Sequence, residues 1–490
     1  MIKFLCNLLI ILFVLFEPLH AQNNNISSKK ATNISAGFTD AVSFGFSPNA
    51  SGVENTIALQ RAVDKTGTIV VSQPGTYKLA GTVYVGSYTS ILFGNNVFIK
   101  KVDEKGVFTH VILNKGALTK KFDEQITIDG LNIIVNGIDK PFSDVYGLRG
   151  QLAFFYAKDI KIERFRCNDI TKMQFAIHVC TFEDLLINDV IIKGDKDGVH
   201  LGRGKRFTIR NGVFQTFDDA IALNAHDYAT GNPELGWIED GVIENCYDLN
   251  AENTTGYFCR FLAGAWIDWK PGMEVRHSDA VVSNGRVYRV QAKPDGTVYK
   301  SINQPKHLSG MKELDGIKWG VVQTDILYTA GVRNVSFNNI FLYKPRTAFS
   351  VHFDNDRYNR SYYPGAQIPQ QQNLIFNNIN IFFEEKRDFI SISTPVDAIK
   401  IHNSSLKNNR ISFYENKAMT DYLKTSILLT NSTLNHKSEM ELLVNTVKVK
   451  SIGLTTSGNI ETNDGFSAKV IPGNAKIKIE SDLTGLKVIK

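Results

Sequence analysis

Short runs in which apolar residues alternate with polar ones recur along most of the chain at a nearly constant interval. The commonest form alternates up to an Asn and places another apolar residue two positions later. It stands as Asp184-Leu-Leu-Ile-Asn188-Asp-Val190 and again as Phe207-Thr-Ile-Arg-Asn211-Gly-Val213. Further copies centre on Asn245, Asn339, Asn378, Asn403 and Asn431, and weaker ones without the Asn lie at 126–131 and 160–165. Asn188 and Asn211 are 23 residues apart (188, 211). A second series, Leu152–Tyr156, Phe175–Val179, Gly198–Gly202 and Ala220–Asn224, starts 23, 23 and 22 residues apart (152, 175, 198, 220). A fixed period in this range signals a solenoid. Runs this short, with Asn, Gly and Asp between them and no helix-length pattern, favour β-coils over helical or leucine-rich repeats. The expected fold is therefore an all-β parallel β-helix. Equivalent residues of successive coils then stack about 4.8 Å apart. The recurring Asn tolerates the tight turn, and its amide can bond to the coils above and below.

The same pattern predicts the chain's organisation. Residues 22–52 are polar and read as a flexible lead-in. Asn55–Asp64 has the spacing of a short helix with Ile57, Leu59, Ala62 and Val63 inward, a cap for the exposed end of a solenoid core. Coils are expected over 53–440, interrupted by insertions at 225–238 and 262–330, and 441–490 reads as terminal coils or a small β cap. Insertions in solenoids map to loops, often on the binding face.

At the N-terminus, Lys3 precedes an apolar stretch from Phe4 to Phe16, and Leu19-His20-Ala21 ends on a small residue. Residues 1–21 read as a signal peptide, which implies a secreted or periplasmic protein. The stretch is short for a membrane span, and no later segment is long enough for one. The formal charge of +6 is mild for 490 residues, and no Lys/Arg run forms a nucleic-acid stripe. Beyond Cys6, the four cysteines Cys167, Cys180, Cys246 and Cys259 read equally as disulfides of an exported protein or as small buried residues. They include no CxxC pair, so a structural zinc site is not expected.

Candidate chemistry gathers in two adjacent coils. Asp197 stands before one strand in Gly194-Asp195-Lys196-Asp197-Gly198, and Asp218-Asp219 before the next in Gln215-Thr216-Phe217-Asp218-Asp219-Ala220. The separations are 21 (197, 218) and 22 (197, 219) residues, one coil. The three carboxylates should therefore meet on neighbouring rungs, where repulsion raises the pKa of at least one. Hydrolysis of a glycosidic bond needs such a set, with one carboxyl protonated and another ionised, and in an inverting enzyme the working pair stands roughly 6.5–9.5 Å apart.

Asp197-Gly-Val-His-Leu, followed one coil later by Thr216-Phe-Asp218-Asp219-Ala-Ile-Ala-Leu-Asn224, resembles the polygalacturonase-type glycoside hydrolases of family 28. The segment 55–79 looks like the N-terminal part of pectate-lyase-superfamily enzymes. The resemblance implies a right-handed single-stranded β-helix, an inverting mechanism, and no metal or cofactor. It makes Asp218 the general acid, with Asp197 and Asp219 holding the water. The chain departs from the family pattern in Asp195-Lys196 for Asn-Thr and Glu239-Asp240-Gly241 for Gly-His-Gly, and Cys259-Arg260-Phe261-Leu262 is a loose counterpart of Arg-Ile-Lys. His226 and His200 are candidates for the missing histidine, and Arg260 for binding a substrate carboxylate or sulfate.

A second cluster runs from Val351 to Gly365 and mixes aromatic with charged residues. His352, Asp354, Arg357, Arg360 and Tyr362 are candidate contacts to a polysaccharide. Asp354-x-Asp356 lacks the remaining ligands of a calcium loop. Two alternatives share the fold. A polysaccharide lyase would use cations such as Lys196, Arg203, Lys205, Lys270 or Arg276, and a non-catalytic carbohydrate-binding β-helix would need no clustered acids.

Overall fold

The computed structural model describes residues 37–141, 144–251, 254–356, 359–416, 424–435, 439–448, 450–461 and 467–489. The signal peptide expected at 1–21, and most of the lead-in, lie outside the described residues. Strands of successive coils pair in parallel into one 31-stranded sheet. Strand accounts for 54% of the chain and helix for 5%. The chain is a right-handed parallel β-helix, the hand that parallel crossovers almost always take.

The register shows what drives the stacking. Ile177 faces Val199, Val199 faces Ile221, Ile221 faces Cys259 and Cys259 faces Phe349, all fully buried. Each such side chain removed from water contributes about 1.5–3 kcal/mol. The intervening residues form an outward column, His178, His200, Ala222, Arg260 and Ser350. Around the site one coil is 22 residues (177, 199, 221). One coil earlier the step is 25, since Leu152 faces Ile177, so the register differs there from the 23-residue spacing of the sequence.

The recurring Asn does what its chemistry allows. Asn211, Asn245, Asn339, Asn378, Asn403 and Asn431 all hold φ between 49° and 55°, a region Asn enters more readily than other side chains. Their amides ladder from coil to coil, Asn245 to Asn211 at 3.3 Å, Asn339 to Asn245 at 3.0 Å and Asn378 to Asn339 at 2.7 Å. Asn188 is one position off this turn: Asp189 takes the positive φ, while Asn188 accepts from Asn211 at 2.8 Å.

Two expectations change, and the two readings of the cysteines are decided. Residues 38–51, assigned by composition to the lead-in, belong to the coil. Phe38–Asp40 pairs with Gly67–Val71, and Phe46 stacks on Tyr77 with centroids 4.4 Å apart. The capping helix runs Gly52–Val63, started by a Ser51/Glu54 capping box. It turns Ala58 inward and leaves Ile57 46% exposed, because its buried face follows Asn55, Ala58, Leu59, Ala62 and Val63. The four cysteines are free buried thiols on separate strands, and the register sets Cys167 beside Ile192 and Cys246 beside Ile340 rather than beside one another.

Beyond residue 438, Glu439–Asn445, Ser451–Ser457, Ser467–Ile471 and Lys476–Glu480 continue the parallel pairing as terminal coils. The long insertion folds on itself. Its five-stranded sheet comprises Ile267–Asp268, Ala280–Ser283, Arg286–Val290, Met311–Leu314 and Ile317–Gln323. It carries its own core around Val281, Tyr288 and Trp319. Among the described residues no helix is long and apolar enough to cross a membrane.

Candidate active site

Asp197, Asp219 and Tyr257 occupy one position in three successive coils, each two residues before the paired Val199, Ile221 and Cys259. Lys196 and Asp218 share the position before it, and that equivalence brings their side chains into an ion pair. Asp197, Asp218 and Asp219 each contribute a carboxylate oxygen to a set lying within 4.8 Å of one another. Asp197 and Asp219 are essentially buried, 0% and 1% exposed. Asp218 and Lys196 reach solvent, with side chains 22% and 24% exposed. The trio faces resident cations, Lys196 and Arg260, so no metal-ligand set is assigned to it.

The surroundings treat the carboxyls differently. Burial works against charge on Asp197, but the Lys196 ammonium, the His200 hydrogen bond and Arg260 outweigh it and hold the carboxyl at about 2. Burial of Asp219, reinforced by Asp218 and Asp197, pushes it up to about 7 against the pull of Arg260. Asp219 Oδ1 accepts from the Tyr257 amide at 2.8 Å. Its Oδ2 lies 2.9 Å from Arg260 Nε, in contact but off the line of a hydrogen bond.

His200 lies beneath the trio. Its Nδ1 is 2.8 Å from Asp197 Oδ2, and its Nε2 is 3.3 Å from Asp227 Oδ2. Phe175 stacks on the ring at 4.1 Å. Burial disfavours the imidazolium, yet the two carboxylates raise its pKa. Asp227 also accepts from Asn224 Nδ2 at 2.8 Å and the Tyr228 amide at 2.7 Å.

The second sequence cluster divides. His352 and Asp354 border the same site, with His352 Nε2 3.3 Å from Asp354 Oδ1. Burial disfavours charge on Asp354, but His352 and then Arg260 hold its pKa below the usual carboxylate value. His226 is buried against Trp266. Burial and Arg289 lower its pKa to about 3, so it is neutral in ordinary buffers. Arg360 and Tyr362 differ from the substrate contacts expected of them. Arg360 is committed to Asp279 of the long insertion, with Nε 2.8 Å from Oδ1. Tyr362 is 6% exposed, packs on Phe353 and donates to the Ala366 carbonyl at 3.0 Å. Arg357 lies outside the described residues.

Three contributors were not singled out in the sequence. Asp227 adjoins His226, and an Asn three residues before it was the available signal. Gly256 packs on the Asp218–Asp219 backbone. Arg346 forms a two-pronged pair with Asp248, 2.9 and 2.7 Å, and donates to the Asp218 carbonyl at 2.8 Å. Both come from distant sequence and carry no local motif.

No protein-family model matches the chain, and no curated protein matches it in sequence. Among solved structures it is similar to the Streptococcus pneumoniae surface adhesin PfbA, at 11% identity over 92% of this chain and 93% of that one, TM-score 0.48. It is similar to the A-module of the Azotobacter vinelandii mannuronan C-5 epimerase AlgE4, at 11% identity over 93% and 100%, TM-score 0.49. It is similar also to the Yersinia enterocolitica family 28 exopolygalacturonase, at 11% identity over 90% and 78%, TM-score 0.42.

Proposed function

We propose that the chain is a secreted glycoside hydrolase that cleaves an acidic polysaccharide by acid/base chemistry at Asp197, Asp218 and Asp219. The observation that carries this reading is the trio itself, in which one carboxyl is held ionised at about 2 and its neighbour is pushed up to about 7. Environments that drive neighbouring carboxyls apart define an acid and a base at one pH. Carboxyls this close titrate as a set. We assign Asp218, the member open to solvent and paired with Lys196, as the group that delivers a proton to the glycosidic oxygen, that proton being the one the set retains on Asp219, with Asp197 and Asp219 as the holders of the water. Lys196, Arg260 and His352 stand beside the trio with side chains 24%, 13% and 16% exposed, and such donors suit a carboxylated or sulfated sugar.

One oxygen of each carboxyl lies within 4.8 Å of the others, and the anomeric configuration of the first product decides between the inverting course that the resemblance implies and retention. Polysaccharide lysis is the second reading, favoured by Arg260 beside the trio and by the neutral His226. Arg203 and Lys205 do not add to it, being paired with Asp325 at 2.7 Å and Glu183 at 3.1 Å.

The test is a panel of acidic and neutral polysaccharides, read for new reducing ends and for the ultraviolet absorbance of an unsaturated product. Reducing ends without absorbance, abolished in a folded Asp218→Asn variant, are expected. Absorbance would establish the lyase, and retained turnover in Asp218→Asn would remove the assigned acid.

A further inference from the structure

Asp227 plays no part in the reaction proposed above, yet much of the surrounding structure converges on it. It is 1% exposed and lies in the first insertion, outside the repeating coil. Every polar atom of the residue placed near a partner is held. Oδ2 accepts from Asn224, Oδ1 from the Tyr228 amide, and the carbonyl from Arg289 Nη1 at 3.3 Å. Arg289 belongs to the long insertion, 62 residues away, is 1% exposed, and also donates to the Asn232 carbonyl. Burying an arginine is costly unless its donors are used. Here the buried arginine reaches the backbone of the segment that carries Asp227.

The object of this arrangement is His200. Carboxylate oxygens lie at both ring nitrogens, Asp197 at 2.8 Å and Asp227 at 3.3 Å. The Nδ1 contact is a hydrogen bond, and the Nε2 contact is an ion-pair approach off the line of one; two ionised carboxylates flanking one ring favour its positively charged form. The ring's tilt and position are set by Phe175 stacked on one face and by His178 at 4.7 Å. The other charged groups around it are Arg149 and Arg260, both of which act on Asp197 and Asp227.

We infer that Asp227 is a positioning residue of the active site: it holds His200 from the far side as an imidazolium, which fixes the Asp197 carboxylate, and the long insertion buttresses it through Arg289. Asp227 touches no substrate. It acts on Asp197 through His200, much as an outer carboxylate orients a histidine in other catalytic sites. The inference rests on the hydrolase reading for its catalytic consequence, but the state of His200 does not depend on that reading. It also gives the 264–330 insertion a task in the chemistry, although none of its strands belongs to the coil.

The experiment has two arms. In the first, the native protein labelled at histidine carbon is titrated by NMR. His200, assigned by its loss in His200→Gln, should remain protonated well above the pH at which an exposed histidine titrates, and Asp227→Asn should bring that titration down. A neutral His200 across the neutral range, or a titration unmoved by Asp227→Asn, overturns the inference whatever the enzyme's activity. In the second, on the substrate the panel identifies, Asp227→Asn should lower kcat on the order of 10–100-fold with KM little changed. The acid limb of kcat/KM should move to higher pH, because Asp197 loses a charged donor. An activity loss with an unmoved acid limb, or full activity, overturns it. If Asp227→Asn fails to fold, the titration of the native protein alone still decides whether His200 is the imidazolium required. If no polysaccharide is cleaved while the NMR arm behaves as expected, the hydrolase reading fails and the clamp stands.

Discussion

Gly256 offers a test of the site's geometry that removes no charged group. A Cβ added there would lie 2.4 Å from the Asp218 carbonyl carbon, 2.5 Å from the Asp219 amide nitrogen and 2.8 Å from Asp219 Oδ1. Ordinary contact begins at 3.4 Å, so the nearest atom falls short by 1.0 Å (3.4 less 2.4). The obstacle is backbone and cannot rotate away. The next residue is tied to the same rung, since Tyr257 donates to Asp219 Oδ1 at 2.8 Å and its carbonyl accepts from Ala220 at 3.0 Å. In Gly256→Ala, either the 254–257 segment or the Asp pair must move by about that amount. Overpacking of this size costs about 1–3 kcal/mol. For a chain of this length that lowers Tm by no more than several degrees, roughly. The catalytic cost is larger in proportion, because displacing reacting groups by about 1 Å can cost on the order of 100-fold in rate. The assay compares kcat and Tm of Gly256→Ala with those of Gly81→Ala, whose added Cβ would meet only Thr56 Cγ2 at an ordinary 3.5 Å. A Gly256→Ala enzyme with kcat within twofold of the control would refute the placement of the reacting groups beside this segment.

Two further outcomes concern charge. Asp219 is pushed up to about 7 from 3.8, so the folded chain keeps a proton that the unfolded chain has released. Stability from this group is present below pH 3.8 and is lost as pH rises towards 7. Denaturant unfolding at a series of pH values should show that decline, and Asp219→Asn should flatten it. A native slope no steeper than the variant's would contradict the assignment. If the trio's shared proton is the catalytic one, turnover should fall as pH rises through about 7, and a rate that climbs there would exclude it. Arg360→Ala should strip Asp279, whose side chain is 0% exposed, of its cation and destabilise the junction of the long insertion by up to about 3–5 kcal/mol. Limited proteolysis within 264–330 should accelerate, and Arg360→Met with Asp279→Leu should restore part of the resistance. Unchanged cleavage in Arg360→Ala would show that the pair does not hold the insertion.

What the chain determines by itself is everything that repeats. Alternation specifies which residues face the core, a period of about one coil specifies which of them stack, and Asn at the turn needs only its own backbone preference to take a positive φ. The meeting of Asp197 with Asp218 and Asp219 was legible for that reason, being arithmetic on the repeat. What lies outside the repeat was not legible. The register slip between Leu152 and Ile177, the commitment of Arg360 to Asp279, and the inward turn of Tyr362 depend on how inserted loops fold back on the coil. The same holds for Asp227 reaching His200 and for Gly256 underlying the Asp pair. Those contacts join residues with no fixed spacing, so no periodicity encodes them. Only when the chain packs are their positions set, by burial, by the demand that each buried charge find a partner, and by the volume left between neighbouring coils.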